Sequence, residues 1–190
     1  MDHQRLLHHI AKVSNIADED LSLLLTCVTG HTLKRGDRIL KEGEVCRSFY
    51  LVDEGHLRTY YNKDGVAINL NFTFEGDFAS NLQSFKCKDP SELIIEAGED
   101  TFVWMFDFSL LVQQFHENPE IAKFIRQLAI RLLLISEEHN HLFKIYTPTE
   151  RYRYIEKNNP QLLQRISLSQ MASYIGVTRE TLSRIRGKNE

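Results

Sequence analysis

The sequence predicts an α+β fold, in which an N-terminal β-sandwich or barrel with flanking helices is followed by a long helix and a C-terminal helix-turn-helix. Three patterns lead to this prediction. Between residues 31 and 106, short apolar runs alternate with turn residues, which is typical of antiparallel β structure. Residues 118–146 carry apolar side chains at helical spacing, and residues 166–186 repeat that spacing in two short pieces around a glycine.

Composition places the chain among ordinary globular proteins. It has 190 residues, of which 42% are hydrophobic and 26% are charged. No run of 18 apolar residues is present, so we expect no membrane-spanning helix. The first five residues lack the basic and apolar segments of a signal peptide, which predicts a cytoplasmic protein.

The residues with reactive or metal-binding side chains are scattered. Cys27, Cys46 and Cys87 are too widely spaced for a Cys-x-x-Cys site or an iron–sulfur cluster. His139 and His141 are two residues apart on a predicted helix, so their side chains point in different directions. No catalytic constellation is evident, and we expect neither a metal site nor an enzyme.

Charge divides the chain into two parts. From Thr147 onward, eight Lys and Arg stand against four Glu, a net charge of +4. The preceding residues hold the other 15 basic and 22 acidic residues, a net charge of −7. A small basic module after a larger acidic one is the distribution expected when only the C-terminal part contacts nucleic acid.

The N-terminal residues predict two helices. The first covers His3–Val13. The second begins with Asp18 as N-cap, continues at helical spacing to Val28, and ends at Gly30, because glycine favours the position just after a helix.

Six strands follow in the predicted β region, and turn residues separate them. Asp64-Gly65 lies between two of them and is a strong hairpin signal. The apolar runs that predict the strands are 39–40, 49–52, 57–61, 68–72, 93–97 and 102–106.

Two helices are predicted after the strands. A short one covers Phe108–Glu117, with Ser109 as its cap and Leu110, Leu111 and Phe115 on its buried side.

The second is the long helix of residues 118–146, with Asn118 as N-cap and Pro119 in the first position. We expect one of its two stripes to pack on the β domain and the other to meet a partner helix. The first stripe contains residues 121, 124, 128, 131, 135, 138, 142 and 145, and the second contains residues 125, 132 and 139.

A capping box marks the next helix. Thr147, Pro148 and Glu150 supply its cap, its first residue and the reciprocal acceptor. Pro148 also ends the preceding helix, which makes this point the predicted domain boundary.

The C-terminal pattern predicts a helix-turn-helix. Ser167 caps the first helix, Gly176 makes the turn and Thr178 caps the second. Apolar positions of both helices face each other, which leaves the charged residues of the second helix outside. Arginine suits guanine in the major groove and glutamate suits cytosine. An ordinary helical hairpin with a solvated face is the alternative.

The run Thr178-Arg179-Glu180-Thr181-Leu182-Ser183-Arg184 resembles the recognition helix of the Crp-Fnr (catabolite-activator type) transcription regulators. The resemblance implies a homodimer, double-stranded DNA as ligand and RNA polymerase as a further partner. It divides the chain into a jelly-roll sensor domain (1–117), a dimerisation helix (118–146) and a DNA-binding domain (147–190). Its expected DNA contacts are Thr178, Arg179, Glu180, Ser183, Arg184 and Arg186.

The same resemblance implies an effector pocket in the jelly-roll. Ser91 stands where the family has a phosphate-binding arginine, and Glu92 stands where it has a serine. A carboxylate repels a phosphate, so the sequence predicts an effector other than cyclic AMP. A regulator without any effector, or a ligand-binding β-barrel, is the alternative. The residues assigned to the pocket are Gly76, Asp77, Phe78, Ala79, Ser91, Glu92 and Ser136.

Overall fold

The computed structural model describes residues 3–14, 16–115 and 118–187. The helices are α1 His3–Val13, α2 Asp18–Leu25, α3 Leu82–Cys87, α4 Phe108–Phe115, α5 Pro119–Ile145, α6 Pro148–Asn158, α7 Pro160–Arg165, α8 Leu168–Tyr174 and α9 Arg179–Gly187. The strands are β1 Val28–Leu33, β2 Arg38–Leu40, β3 Ser48–Glu54, β4 Leu57–Lys63, β5 Val66–Thr73, β6 Phe78–Ala79, β7 Leu93–Ala97 and β8 Thr101–Asp107.

The strands form two antiparallel four-stranded sheets, in the orders β1-β8-β3-β6 and β2-β7-β4-β5. Alternate residues of each strand face opposite sides of its sheet. In β3, Tyr50 and Val52 belong to the core between the sheets, whereas Phe49 and Leu51 face the helices that cover the first sheet. The sandwich prediction and the α+β fold are therefore confirmed.

The hairpin between β4 and β5 forms where Asp64-Gly65 predicts it. Both residues have positive φ, 52° for Asp64 and 82° for Gly65. This combination is required at the two central positions of a type I′ turn, whose twist matches that of the strands.

The predicted end of α2 at Gly30 is wrong. The helix stops at Leu25, and Val28 already begins β1. Gly30 lies in that strand opposite Trp104, and a Cβ atom there would come within 2.7 Å of the Phe102 ring. The glycine is needed for close packing of aromatic rings rather than for ending a helix.

Helix α4 also differs from the prediction. Its first-turn Leu110 N–H donates to the carboxylate of Asp107, so this aspartate performs the capping expected of Ser109. Leu111 is fully buried, but Leu110 is 45% exposed. The predicted end at Glu117 and the side chain of Phe115 lie outside the described residues.

Helix α5 begins as expected, with the Asn118 side chain accepting from two backbone N–H groups and proline in the first position. Its residues Ile121, Phe124 and Leu128 are buried against the first sheet and α1. Ile125 and Leu132 pack against that same core. The second predicted stripe is therefore not free to meet a partner helix, because 3.6 residues per turn bring it close to the first.

Helices α6 to α9 share their own core with Phe72 of β5 and with Phe74, which follows the end of that strand. Between α5 and α6 only Tyr146 and Thr147 are non-helical, and both are extended. The Thr147–Glu150 capping box is present, as predicted. Within the described ranges, no helix combines the length and apolar character needed to cross a membrane.

Candidate DNA-binding surface and effector cavity

The two helices α8 and α9 are built by local capping. The Ser167 side chain accepts from the Gln170 N–H at 3.2 Å, and the Gln170 side chain accepts from the Ser167 N–H at 3.0 Å. Gly176 makes the turn with a φ of 72°. The Thr178 hydroxyl accepts from the Thr181 N–H at 3.2 Å, which satisfies an otherwise unpaired donor at the start of α9.

One face of α9 is buried and the other is open to solvent. Leu182 and Ile185 pack into the C-terminal core. The residues expected to contact DNA are exposed side by side on the opposite face. They are Thr178, Arg179, Glu180, Ser183, Arg184 and Arg186.

Charge on this face is fixed at neutral pH. The carboxylate of Glu180 accepts from its own backbone N–H and from the Thr178 hydroxyl, which lowers the pKa of Glu180 below its ordinary value. Arg184 donates to the Thr181 hydroxyl at 3.1 Å, which orients its guanidinium along the helix. This face of α9 therefore offers charged arginine donors and one charged acceptor, the Glu180 carboxylate.

A cavity of about 410 Å³ lies between the β domain and α5; we call it the roll cavity. Three of the residues predicted for the effector pocket line it, namely Phe78, Ala79 and Ser136. Its other lining residues are Thr59, Leu70, Asn71, Ser80, Asn81, Leu82, Gln83, Leu93, Leu132, Leu133, Ile135, His139 and Asn140.

The other predicted pocket residues lie elsewhere. Gly76 forms a turn with a φ of 85°, next to the His9 ring. The Asp77 carboxylate accepts from the Arg131 guanidinium at 2.6 Å. Ser91 is buried and accepts from the Asn81 amide at 2.8 Å, whereas Glu92 is exposed.

A second cavity of about 340 Å³ lies between β5, α5 and the C-terminal helices; we call it the domain cavity. The side chain of His139 lines both cavities, and its ring centroid is 4.8 Å from that of Tyr174 in α8. Burial lowers the pKa of His139, so its imidazole is neutral at pH 7. His139 thus connects the roll cavity to the helix-turn-helix.

Direct contacts hold the C-terminal helices on the β domain. The Ser173 hydroxyl of α8 accepts from the Asn69 N–H at 2.9 Å and donates to the Ala67 carbonyl at 3.0 Å, both in β5. Arg165 of α7 pairs with Glu75 and Glu99. Sequence patterns carry no signal for these contacts, because each joins residues more than 60 positions apart.

The described residues hold no cluster of three His, Cys, Asp or Glu side chains that fits a metal ion. Burial raises the pKa of the Cys27 thiol, which suppresses the nucleophilic thiolate. Cys46 is buried, and its sulfur lies 3.4 Å from the Ser80 hydroxyl.

Comparison with known proteins agrees with this geometry. Residues 31–118 match the profile of the cyclic nucleotide-binding domain. A cAMP-dependent protein kinase regulatory subunit of Candida albicans is 27% identical over 101 residues, which is 53% of this chain and 21% of that protein. The chain therefore spans about a fifth of the length of this curated relative.

Solved structures match a larger part of the chain. FixK2 from Bradyrhizobium japonicum superimposes with a TM-score of 0.72 at 23% identity, covering 85% of this chain and 83% of FixK2. A protein from Eubacterium rectale assigned to the crp/fnr family of transcriptional regulators gives a TM-score of 0.69 at 21% identity, covering 90% and 82%. The shared architecture extends from the sandwich to the C-terminal helices.

Proposed function

We propose that this chain is a homodimeric, sequence-specific DNA-binding transcription regulator. The match of residues 31–118 to the cyclic nucleotide-binding domain and the fold shared with FixK2 and the crp/fnr-family protein of Eubacterium rectale support this proposal. In this proposal residues 1–117 are the sensor domain, residues 118–146 join two copies, and residues 147–190 bind DNA. The protein acts by binding and not by catalysis.

The observation that carries the proposal is the exposed face of α9. Arg179 and Glu180 lie in the first turn of this helix, the part that enters the major groove in helix-turn-helix proteins. A bidentate arginine and a charged carboxylate, next to each other on a rigid helix, can distinguish guanine and cytosine from other bases. Arg186, near the end of the helix, suits a phosphate contact.

Dimerisation is supported by an apolar patch on α5. Ile130, Leu133 and Leu134 are 56%, 55% and 62% exposed, on the side of the helix opposite the buried residues. Large apolar side chains clustered in this way mark interaction surfaces. Two copies related by a two-fold axis would present their α9 helices to half-sites about 34 Å apart on DNA.

We assign the effector to the roll cavity, because α5 forms one wall of it and also carries the dimerisation patch. Leu133 belongs to both. A ligand that binds one dimer arrangement more tightly than another would shift the position of the DNA-binding helices. A regulator that works without an effector is the second candidate, and Ser91 favours it because this residue replaces an arginine of the family and hydrogen-bonds within the protein.

The proposal is tested by selecting binding sites for the purified protein from random duplex DNA at about 150 mM salt. We expect an inverted repeat whose half-sites are one helical turn apart. The same selection with Arg179→Ala should lose information at one position of each half-site. Enrichment of no sequence, with weak binding to all DNA, would refute sequence-specific recognition.

A further inference from the structure

The roll cavity differs from an anion site in the charge of its lining. Among the described residues that line it, none is Lys, Arg, Asp or Glu. The guanidinium of Arg131 lies on the neighbouring domain cavity, where its hydrogen bond to Asp77 already neutralises it. An anion that entered the roll cavity would lose water without gaining a cation, which is strongly unfavourable.

Neutral hydrogen-bonding groups remain available in this cavity. The side chains of Gln83, Ser136 and Asn140 have no hydrogen-bond partner within the described part of the chain. The Nε2 atom of His139 is buried and also has no partner there. Because this nitrogen is shielded, the groups with which a bound molecule can form hydrogen bonds are the exposed side chains of Gln83, Ser136 and Asn140.

Much of the rest of the cavity wall is apolar, and the Asn81 side chain in it is hydrogen-bonded within the protein. Phe78, Leu82, Leu132 and Ile135 contribute apolar surface. The Asn81 amide donates to Ser91 at 2.8 Å, and its carbonyl oxygen accepts from the Ser84 N–H at 3.2 Å. The Asn81 side chain is therefore already hydrogen-bonded within the protein and holds the cavity wall in place. The cavity volume of about 410 Å³ is ordinary for a small-molecule site.

We propose that the roll cavity binds an uncharged small molecule with an apolar or aromatic body and one or two hydrogen-bonding groups, and that it discriminates against phosphates and other anions. This inference rests on the proposed function, since it names the ligand class of the site assigned there to the effector. Apolar burial against Phe78 and Leu132 supplies the affinity. The amides of Gln83 and Asn140 and the hydroxyl of Ser136 supply the orientation.

Two fluorescent probes that differ only in charge test the proposal. N-phenyl-1-naphthylamine is neutral, and 1-anilinonaphthalene-8-sulfonate adds a sulfonate to the same ring system. Titrated into the full chain at about 150 mM salt, the neutral probe should bind once per chain, at least tenfold more tightly than the sulfonate. Equal or tighter binding of the sulfonate, or failure of the neutral probe to bind, would overturn the proposal.

Variants on α5 locate the probe. Ser136→Trp fills the cavity and should abolish binding of the neutral probe, whereas Gln127→Trp, at an exposed position of the same helix outside the cavity lining, should not. Ser136→Arg adds the missing cation and should reverse the preference in favour of the sulfonate. Retained neutral binding in Ser136→Trp, or an unchanged preference in Ser136→Arg, would contradict the assignment.

These titrations need no DNA, so their failure is distinct from failure of the proposed regulator. A protein that selects an operator but binds neither probe in the cavity would retain its function as a regulator and lose this ligand class. A protein that binds the neutral probe but no specific DNA would retain the cavity and lose the proposed function.

Discussion

Arg165 donates two hydrogen bonds to the carboxylate of Glu75, at 2.6 and 2.8 Å, across 90 residues of sequence. Glu75 precedes the Gly76 turn, and Asp77 on the other side of that turn pairs with Arg131 of α5. One tight turn of the β domain is thus bound to α7 by its first residue and to α5 by its third. A shift of this turn would therefore strain its hydrogen bonds to both helices.

Removing the Glu75 charge should loosen the C-terminal domain. Burial alone would raise the pKa of Glu75, but its hydrogen bonds with Arg165 lower it, so the pair is charged at neutral pH. We expect Glu75→Gln to speed hydrogen exchange in α8, with a loss of about 1 kcal/mol because both side chains are partly exposed. Glu54→Gln, which removes the exposed Arg5 pair on the β domain, is the matched control. Equal effects of the two substitutions would refute a role in docking.

Arg179→Ala should cost specific DNA binding roughly 1–3 kcal/mol and relax one base position, because a bidentate contact to guanine is lost. Affinity for the selected operator and for a scrambled duplex, measured at one salt concentration, separates base from phosphate contact. Arg47→Ala, at an exposed position of the β domain, controls for the change in net charge. A uniform loss on both duplexes would show that Arg179 contacts phosphate only.

Leu134→Arg should convert the dimer into monomers, because it puts a charge into the centre of the apolar patch on α5. Sedimentation velocity at micromolar concentration gives the oligomeric state. Val66→Arg is the matched control, since Val66 is 64% exposed at the β4–β5 hairpin and lies outside the patch. Persistence of the dimer in Leu134→Arg would place the interface elsewhere.

Stability should decrease as the pH falls below about 6.5, the ordinary pKa of histidine. Burial lowers the pKa of His139 in the folded protein, so the unfolded chain binds protons more readily in this range. The free energy of unfolding, measured with urea between pH 7.5 and 5, should therefore vary less steeply with pH in His139→Gln.

His9 accounts for part of the remaining slope, because burial lowers its pKa as well. His141→Gln, at an exposed position of the same helix as His139, serves as the control. The same slope in His139→Gln and the unmodified protein would disprove the buried neutral imidazole.

Gly176→Ala should destabilise the helix-turn-helix. The residue has a φ of 72°, and its new Cβ atom would lie 2.7 Å from the Phe143 ring of α5. The left-handed backbone alone costs an alanine roughly 1–2 kcal/mol. Gly36→Ala carries the same backbone cost without a close neighbour, so thermal unfolding should show the larger loss for Gly176. Equal losses would mean that the Phe143 contact is not made.

The sequence predicted most of the fold because the strands alternate and the helices carry their own caps. Asn118, Thr147 and Ser167 act locally, and each is found at the helix start that its pattern indicates. The prediction was wrong at Gly30, because the sequence alone does not distinguish a glycine that makes room for an aromatic ring from a glycine that ends a helix. Its role depends on Phe102, 72 positions away.

The cavity was less predictable than the helix-turn-helix. Counting along the chain assigned Ser91 and Glu92 to the effector, yet the Ser91 side chain bonds to Asn81 and Glu92 is exposed. His139 connects the two cavities through contacts that exist only after α5 has packed on β5 and α8. Such residues have no periodicity to reveal them, because their neighbours come from distant segments.

The two extended residues between α5 and α6 determine what a change of domain orientation costs. Tyr146 closes α5 with its own N–H, and Thr147 opens α6 with its side chain. Rotation about the backbone at these two residues therefore reorients everything beyond them while both helices keep their hydrogen bonds. This rotation is opposed by the contacts of α7 and α8 with the β domain and by the contacts at the end of α5. A ligand that binds one of two such orientations about 5.5 kcal/mol more tightly than the other would change the ratio of their populations from 1:99 to 99:1.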